Sequence, residues 1–516
     1  MGCQIYTESS VVSDYEGAIY DNSSLSSGSV FVKVERTNSS VSRCYSFVSM
    51  PISVRNFSSV LSSPNRHSAL LVLLLLVAFL DACRPKPDDM VQPIIALGKP
   101  ADQYSAEVAV KWAQLQLKLT KTTAGFTPPV ASRAYGYAGL ALYESVVAGI
   151  NNGKSMAGQL QALTSLPQPE SGQAYNWALS ANAAQASLIR SLYPKTSDTN
   201  KATIDSLEKA LSILFQDTDA ASNQRSIDYG RKVAEAIFTY STSDGGHEGY
   251  TRNFPASYVL PTGAGLWQPT ENGQKIPMQP YWGQNRTFVK ANNGLAMPKP
   301  IPYSTDVKSP FFSQYLDVYA KSKNLTQTEK EITIWWADNP GETFTPPGHS
   351  YSIARIAILK ANTDLAKAVE TFARTGLAIS DAFVLCWRCK YTYNNLRPYT
   401  YVRLTIDPTW IPFWPAPPFP GFPSGHATQS ASAATVLTAL YGPDFNFIDD
   451  SHSGRPKDAS RNVEFKARTF KSFADAARES ADSRFFGNIH TKQDNETGLT
   501  EGIKIGSNVN ALAWKK

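Results

Sequence analysis

Cysteine is scarce in this chain, five in 516 residues, and histidine and methionine are almost as rare at six each. The cysteines stand at 3, 44, 83, 386 and 389, too few and too unevenly spaced for a scaffold stapled by disulfides. Charge is thin as well: 18% of residues are Asp, Glu, Lys or Arg, and the formal net charge is only +6. No cluster of Lys and Arg tracks a nucleic-acid backbone, so nucleic acid is not expected as a partner. No apolar run reaches the roughly 20 residues that a membrane-crossing helix needs. Fixed-period repeats are missing, and so is any long alternation of apolar with polar residues of the kind a half-buried strand carries.

What is present is apolar and aromatic. At 42% hydrophobic, the chain can bury one large core or two moderate ones. The ten Trp, 24 Tyr and 24 Phe lie mainly beyond residue 100, which suits an aromatic-walled core or pocket. Residues 69–80 read ALLVLLLLVAFL, with Arg66 and His67 before them and Asp81-Ala82-Cys83 after. A basic flank, a short apolar run and a small residue describe a secretory signal. With Leu80 and Cys83 around the cut it resembles a bacterial lipoprotein signal, although Asp81 departs from the small residue usual there. Cys83 is then the expected lipidation site, and the protein is expected in the periplasm or outer membrane, touching the membrane only through that anchor. A buried apolar helix is the alternative reading.

The expected organisation follows. Residues 1–49 are a non-native or disordered extension before a start at Met50; residues 50–83 are the signal; residues 84–100, opening with Arg84-Pro85-Lys86-Pro87, are a tether. Residues 101–516 form one domain with its catalytic part at 381–510. Apolar spacings of three and four run through 103–150 and recur at 174–192, 203–214, 226–240, 311–320, 325–336 and 351–359, which predicts helices. Between 245 and 310 the chain is rich in Gly, Pro, Asn and Trp, a loop long enough to be a functional rim. The fold class expected is all-α: helical bundles joined by long Pro-, Gly- and aromatic-rich loops. Cys386 and Cys389 fall inside a helical run, where the pair reads as structural, and alone it cannot complete a four-ligand zinc site.

Three segments carry chemistry. Lys390 and Arg397, seven apart, fall near one face of a helix that Pro398 is expected to end, so two long cations converge on one anion. Pro423-Ser424-Gly425-His426 follows a proline-dense loop and opens an Ala-rich helix stopped at Gly442. Ser424 is placed as its N-cap, Gly425 lets an anion approach the backbone, and the helix end supplies unpaired N–H groups. Ser483-Arg484 closes an inward-facing row with Phe473, Ala477 and Ala481, and His490 is followed four residues on by Asp494, placed to hold the imidazole in one tautomer. Each segment alone also fits ordinary helix surface, capping or packing. Together they supply cations, a helix end with an acid-base histidine, and an oriented second histidine.

This three-part pattern, Lys390 through Arg397-Pro398, then Pro423–His426, then Ser483–His490, resembles the signature shared by vanadium-dependent haloperoxidases and type-2 phosphatidic acid phosphatases. A looser resemblance to bacterial haloperoxidase-like proteins extends back through Asp381-Ala382, Trp387 and the stretch from Trp336 to His349. The resemblance implies two four-helix bundles. It implies that His490 bonds vanadate, or is the phosphorylated nucleophile of a phosphatase, and that His426 is the acid-base. Lys390, Arg397 and Arg484 would neutralise oxyanion charge with the Ser424 hydroxyl and the Gly425 N–H. Trp387 and Phe419 match aromatic wall positions, and Asp338 is placed to orient His426 or a pocket arginine. His349 is read as lining the entrance or as packing. Two chemistries stay open, halide oxidation by hydrogen peroxide on vanadate and hydrolysis of a phosphate ester through a phosphohistidine. Chain length, the Trp- and Pro-rich rim and the apolar wall favour the first. A non-catalytic surface oxyanion-binding protein is the third reading.

Overall fold

The computed structural model describes residues 98–271 and 273–516 together with three short strands near the start, β1 (Gln4–Tyr6), β2 (Val30–Lys33) and β3 (Phe47–Met50). Those strands pair antiparallel in the order β1-β2-β3 within a first unit, Met1–Pro93. The apolar run at 69–80, Cys83 and the stretch from there to residue 97 lie outside the described residues. The second unit, Ile94–Lys516, carries the three chemistry-bearing segments.

Wherever the helical period runs through the second unit, a helix forms. The N-terminal half holds α1 (Glu107–Thr122), α2 (Pro128–Glu144), α3 (Trp177–Leu192), α4 (Asp198–Phe215) and α5 (Ala220–Ser241). Four of the five starts have a local cause: Pro128 and Pro129 occupy the first turn of α2, while Asn176, Ser197 and Asp219 cap α3, α4 and α5 through side-chain oxygens. Among its described residues, the long excursion from 245 to 310 contains only two 3₁₀ turns and the single-turn α6 (Lys290–Asn293). Asp381 ties it down by accepting from the backbone N–H of Phe288 at 2.7 Å and of Val289 at 3.0 Å.

The C-terminal half holds α7 (Pro310–Lys323), α8 (Gln327–Trp335), α9 (Thr345–Lys360), α10 (Leu365–Tyr393), α11 (Pro398–Thr405), α12 (Gly425–Tyr441), α13 (Phe473–Phe486) and α14 (Lys492–Asn510). Eight of the helices form two groups of four. α1, α2, α3 and α5 pack together, as do α10, α12, α13 and α14, and the 29-residue α10 lies against both α2 and α12. Among the described residues no helix is long and apolar enough to cross a membrane.

Two features depart from expectation. Pro398 opens a helix instead of ending one: α10 stops at Asn394, which takes the left-handed conformation at φ 46°, and Arg397 becomes the N-cap of α11 with Pro398 in its first turn. An antiparallel pair, β4 (Phe447–Asp449) and β5 (Arg468–Phe470), sits between α12 and α13. Its strands are three residues each, too short to print an alternating pattern, and they are held by Phe447, Phe470 and Phe473 packing ring to ring.

The site is positioned by a close seam between α12 and α14. A Cβ built on Gly502 would stand 2.3 Å from the Thr428 carbonyl oxygen, and one on Gly498 would stand 2.7 Å from the Ala427 Cβ. Only glycine allows the two helices to approach so nearly. The approach brings their N-termini side by side, so that the Ser424 N–H donates to the Asp494 carbonyl at 2.9 Å.

Candidate active site

The anion pocket is assembled at three chain ends that the seam brings together: the last turn of α10, the first turn of α12, and the turn between α13 and α14. Lys390, Arg397, Ser424, Arg484, His490 and Asp494 are all buried there, and Gly425 and His426 are half-buried beside them.

Lys390 lies in the last turn of α10, where the helix dipole favours a cation. Its ammonium donates to the carbonyls of Pro420 at 2.8 Å, Gly421 at 2.8 Å and Pro423 at 2.6 Å. The proline-dense loop therefore serves as an acceptor cage that seats the charge. Arg397 donates through Nε to the Phe419 carbonyl at 2.8 Å and through Nη1 to the Ile489 carbonyl at 2.9 Å, and Nη1 stands 3.3 Å from His490 Nε2. Arg484 is the least satisfied cation: Nη1 has only a 3.5 Å contact with the Trp336 carbonyl, and Nε is buried without a partner.

The nearby carboxylate is Asp494, spent on His490. Its Oδ2 lies 3.0 Å from His490 Nδ1 and accepts from the Thr491 N–H at 3.0 Å, while Thr491 caps α14 in return. A carboxylate can only accept, so Nδ1 carries the proton and the lone pair is on Nε2, facing Arg397. Across the pocket His426 Nε2 stands 2.8 Å from the Trp336 carbonyl, which by the same reasoning puts the proton on Nε2 and leaves Nδ1 to exchange protons.

Burial drives the electrostatics. It pulls Lys390 down to about 8, Arg397 to about 10 and, with Arg397 adding repulsion, Arg484 to about 9. His490 is held well below the usual histidine range by burial and then by Arg397 and Lys390; His426 is held there by burial and then Arg484. Burial raises Asp494 to about 6 against the Thr491 N–H that favours its charge. Asp494 acts on Lys390 and Arg397, and Asp338 on Arg484, which leaves three buried cations short of negative charge, and an orphaned guanidinium N–H is one of the groups an anion would satisfy. At Gly425 an added Cβ would meet only ordinary contact with the Trp387 ring, 3.5 Å away. Packing does not demand the glycine, and what it leaves open is the approach to its own N–H at the start of α12. The donor set therefore fits an oxyanion such as vanadate or phosphate.

Trp387 and Phe419 pack with ring centroids 5.0 Å apart, and Lys390 lies 5.3 Å from the Phe419 centroid and 5.8 Å from that of Trp387. Asp338 differs from expectation. Its carboxylate faces His349 and His452, each at 2.8 Å, and not His426 or a pocket arginine. Its backbone is left-handed, φ 49°, and its charge acts on His426 and Arg484 without a hydrogen bond to either. His349 is completely buried and lines no entrance. Sequence reading missed Asp449 and His452 as members of this cluster; both sit at the β4 turn, which no pattern announced. Cys386 and Cys389 are free, buried thiols inside α10.

Residues 370–515 match the family model described as the VCPO second helical-bundle domain. Vanadium chloroperoxidase of Curvularia inaequalis is 24% identical over 423 residues, 68% of each chain. Among solved structures, the first bacterial vanadium-dependent iodoperoxidase is 31% identical with a TM-score of 0.70, covering 80% of this chain and 98% of its own. An apo-type bacterial vanadium-dependent chloroperoxidase shares the fold at 15% identity, with a TM-score of 0.58 and coverage of 80% and 98%. Identity of 31% over 80% of the chain, with the family model matched across 370–515, places the chain in the vanadium-dependent haloperoxidase superfamily.

Proposed function

We propose that the pocket holds vanadate and that the chain oxidises a halide with hydrogen peroxide. The observation that carries this reading is the His490 imidazole: Asp494 fixes its proton on Nδ1, and the Nε2 lone pair is aimed among three buried cations. His490 Nε2 would bind vanadium, while Lys390, Arg397 and Arg484, with the Ser424 hydroxyl and Gly425 N–H, would neutralise the oxygens. When bound, vanadate supplies an electrophilic centre that activates hydrogen peroxide for two-electron oxidation of a halide to hypohalous acid. His426 Nδ1 exchanges the protons that step needs. Lys390, pulled toward the titration range by burial and seated by its carbonyl cage, polarises the oxygen on its side. Trp387 and Phe419 exclude water from the halide's approach, and an apolar wall suits a halide better than a phosphate ester. The iodoperoxidase at 31% identity supports the same choice.

The second reading is a phosphomonoesterase in which His490 Nε2 attacks phosphorus and His426 protonates the leaving alcohol. The same lone pair supports it. The deciding experiment incubates the protein with orthovanadate and follows halogenation of a dye on addition of peroxide and bromide or iodide, beside His490→Ala. Vanadate-dependent turnover abolished by the substitution is the expected result. Silence there, with phosphate-ester cleavage inhibited by vanadate, transfers the assignment to the phosphatase; silence in both assays leaves an oxyanion-binding protein. Export with lipidation at Cys83 is proposed from the 66–83 pattern alone, and Cys83→Ser is expected to abolish membrane retention in a bacterial host.

A further inference from the structure

Linked to the pocket through Trp336 is a second, buried cluster that the proposed reaction does not use. Trp336 closes α8, and its carbonyl is the group that meets His426 and Arg484. Its indole stacks on the His349 imidazole, with centroids 4.3 Å apart and planes at 24°, and its N–H donates to Glu479 at 3.0 Å. Asp338, two residues on, reaches His349 Nδ1 with one carboxylate oxygen and His452 Nε2 with the other, each at 2.8 Å. At the opposite edge of the His349 ring, Nε2 stands 2.7 Å from Asp449 Oδ2, which also accepts from the Trp335 indole at 2.9 Å.

Ionised carboxylates only accept, so both ring nitrogens of His349 carry protons and the ring is a cation. Burial opposes that charge, but Asp449 and Asp338 outweigh it and hold His349 at about 10. In return His349 holds Asp449 at about 2, and His349 with His452 holds Asp338 well below the carboxylate range, in both cases against burial. His452 stays neutral, because burial lowers it by more than Asp338 raises it. Asp338, His349 and His452 do bring three ligand atoms within 4.8 Å of one another. Asp449, however, approaches the far edge of the ring, so no single cation can be reached by His349 and both carboxylates. Three enclosed ligands without a fourth do not make a structural zinc site. The cluster is built round protons.

We propose that His349 is a positioning residue: a permanent imidazolium clamped between Asp338 and Asp449, it holds Trp336 so that the Trp336 carbonyl fixes the tautomer of His426 and the place of Arg484. The mechanical link is short. His349 supports the face of the Trp336 indole, and Asp338 keeps its left-handed backbone, which a non-glycine residue does only where its surroundings over-determine it. The two imidazoles on its carboxylate are those surroundings. The groups facing His349 are Asp338 before α9, Asp449 on β4, His452 after β4, and the rings of Trp335, Trp336 and Phe344, with His426 the next titratable group beyond them. The proposal rests on the reading of His426 as the proton-exchanging group.

The test uses the full chain with ¹⁵N-labelled histidine, and Asp449→Asn, which leaves an oxygen for Trp335 and His349 to donate to but removes the charge. In the unsubstituted protein, both His349 nitrogens are expected to remain protonated at pH values well above those at which an ordinary histidine is neutral, and His426 to show a single Nε2–H tautomer. In Asp449→Asn, His349 should lose a proton in the neutral range. Above that pH His426 should lose its single tautomer, and kcat for vanadate-dependent halide oxidation should fall about 10²-fold with KM unchanged, recovering on acidification. A merely structural role would lower the folded fraction without this reversible limb. A neutral His349 in the unsubstituted protein overturns the proposal, as does a variant in which His349 titrates while His426 and kcat stay as they were. A stoichiometric divalent metal that is lost in Asp338→Asn overturns it too. Absence of halide oxidation in the unsubstituted protein counts against the proposed function alone, because the ring-nitrogen spectra still decide the charge of His349 and the tautomer of His426. Those spectra need no variant to fold.

Discussion

Asp494 Oδ2 stands 3.0 Å from His490 Nδ1, and that one contact decides which nitrogen of the imidazole faces the pocket with a lone pair. The carboxylate is held in turn by the Thr491 N–H and by its place in the first turn of α14, so the ring has one orientation and one tautomer. Asp494→Asn keeps an acceptor for Nδ1–H but removes the charge that makes Nε2 basic. The expected outcome is orthovanadate binding weaker by about 10- to 100-fold with little change in melting temperature, read by titration calorimetry and thermal unfolding. Unaltered binding would mean that His490 does not contact the anion.

Arg484 illustrates the opposite economy, a group the anion-free fold holds at a cost. It is 2% exposed, Nε has no partner, and its neighbour Arg397 repels it. Arg484→Met removes the unpaired charge while conserving most of the side chain's bulk. The anion-free variant is expected to be more stable than the parent by about 1–3 kcal/mol, and its oxyanion affinity to fall at least about 10²-fold. Adding orthovanadate should stabilise the parent by about 2.7 kcal/mol at a hundred times its dissociation constant and leave the variant's melting temperature in place. A variant less stable than the parent without anion would show that Arg484 serves packing.

Much of this site was legible in the sequence because its parts are local. Ser424 as N-cap and the contact of Asp494 with His490 follow from capping chemistry and close spacing, whereas Lys390 and Arg397 come together across the end of α10 and the start of α11, not on one helix face. What stayed hidden depends on contacts far apart in the chain. Asp449 and His452 sit about a hundred residues from His349, on a three-residue strand and the turn after it that have no periodic signal. Asp338 lies close enough to act on His426 and Arg484, but its hydrogen bonds go to His349 and His452, partners that neither its identity nor its place in the sequence announces. Pro398 is ambiguous for a related reason: proline is excluded from helix interiors yet suited to first turns, and it is the left-handed cap at Asn394 that makes it open a helix and not end one.

Gly502 tests how the site is held together. An added Cβ would stand 2.3 Å from the Thr428 carbonyl, a backbone atom that cannot rotate away, so α12 and α14 must separate. Gly502→Ala is expected to destabilise the protein by about 1–3 kcal/mol and, by loosening the junction where the Ser424 N–H meets the Asp494 carbonyl, to weaken anion binding in the fraction that remains folded. Circular dichroism melting and calorimetry on the same samples check both halves. A destabilised variant with unchanged affinity would show that the seam supports the core without positioning the pocket.

The pH dependence of anion binding follows from Lys390. Burial pulls its ammonium down to about 8 in the anion-free protein, although three carbonyls accept its hydrogen bonds. A bound anion favours the charged form and so raises that value in the complex. Binding therefore takes up a proton once the free protein's Lys390 has lost one, and affinity is full below about 8 and falls as pH rises through it, by up to about tenfold per unit. Arg484, at about 9, and Arg397, at about 10, remain charged through the start of this decline, so Lys390 alone sets where it begins. Sulfate, whose charge is constant between about pH 7 and about pH 10, is the probe that isolates the protein's protons. Calorimetry in buffers of different ionisation enthalpy should show proton uptake appearing near pH 8 in the parent, and in Lys390→Met the break should move to higher pH with affinity lower throughout. Affinity that stays flat to about pH 10 would mean that the carbonyl cage keeps Lys390 fully charged and that burial is not the stronger effect.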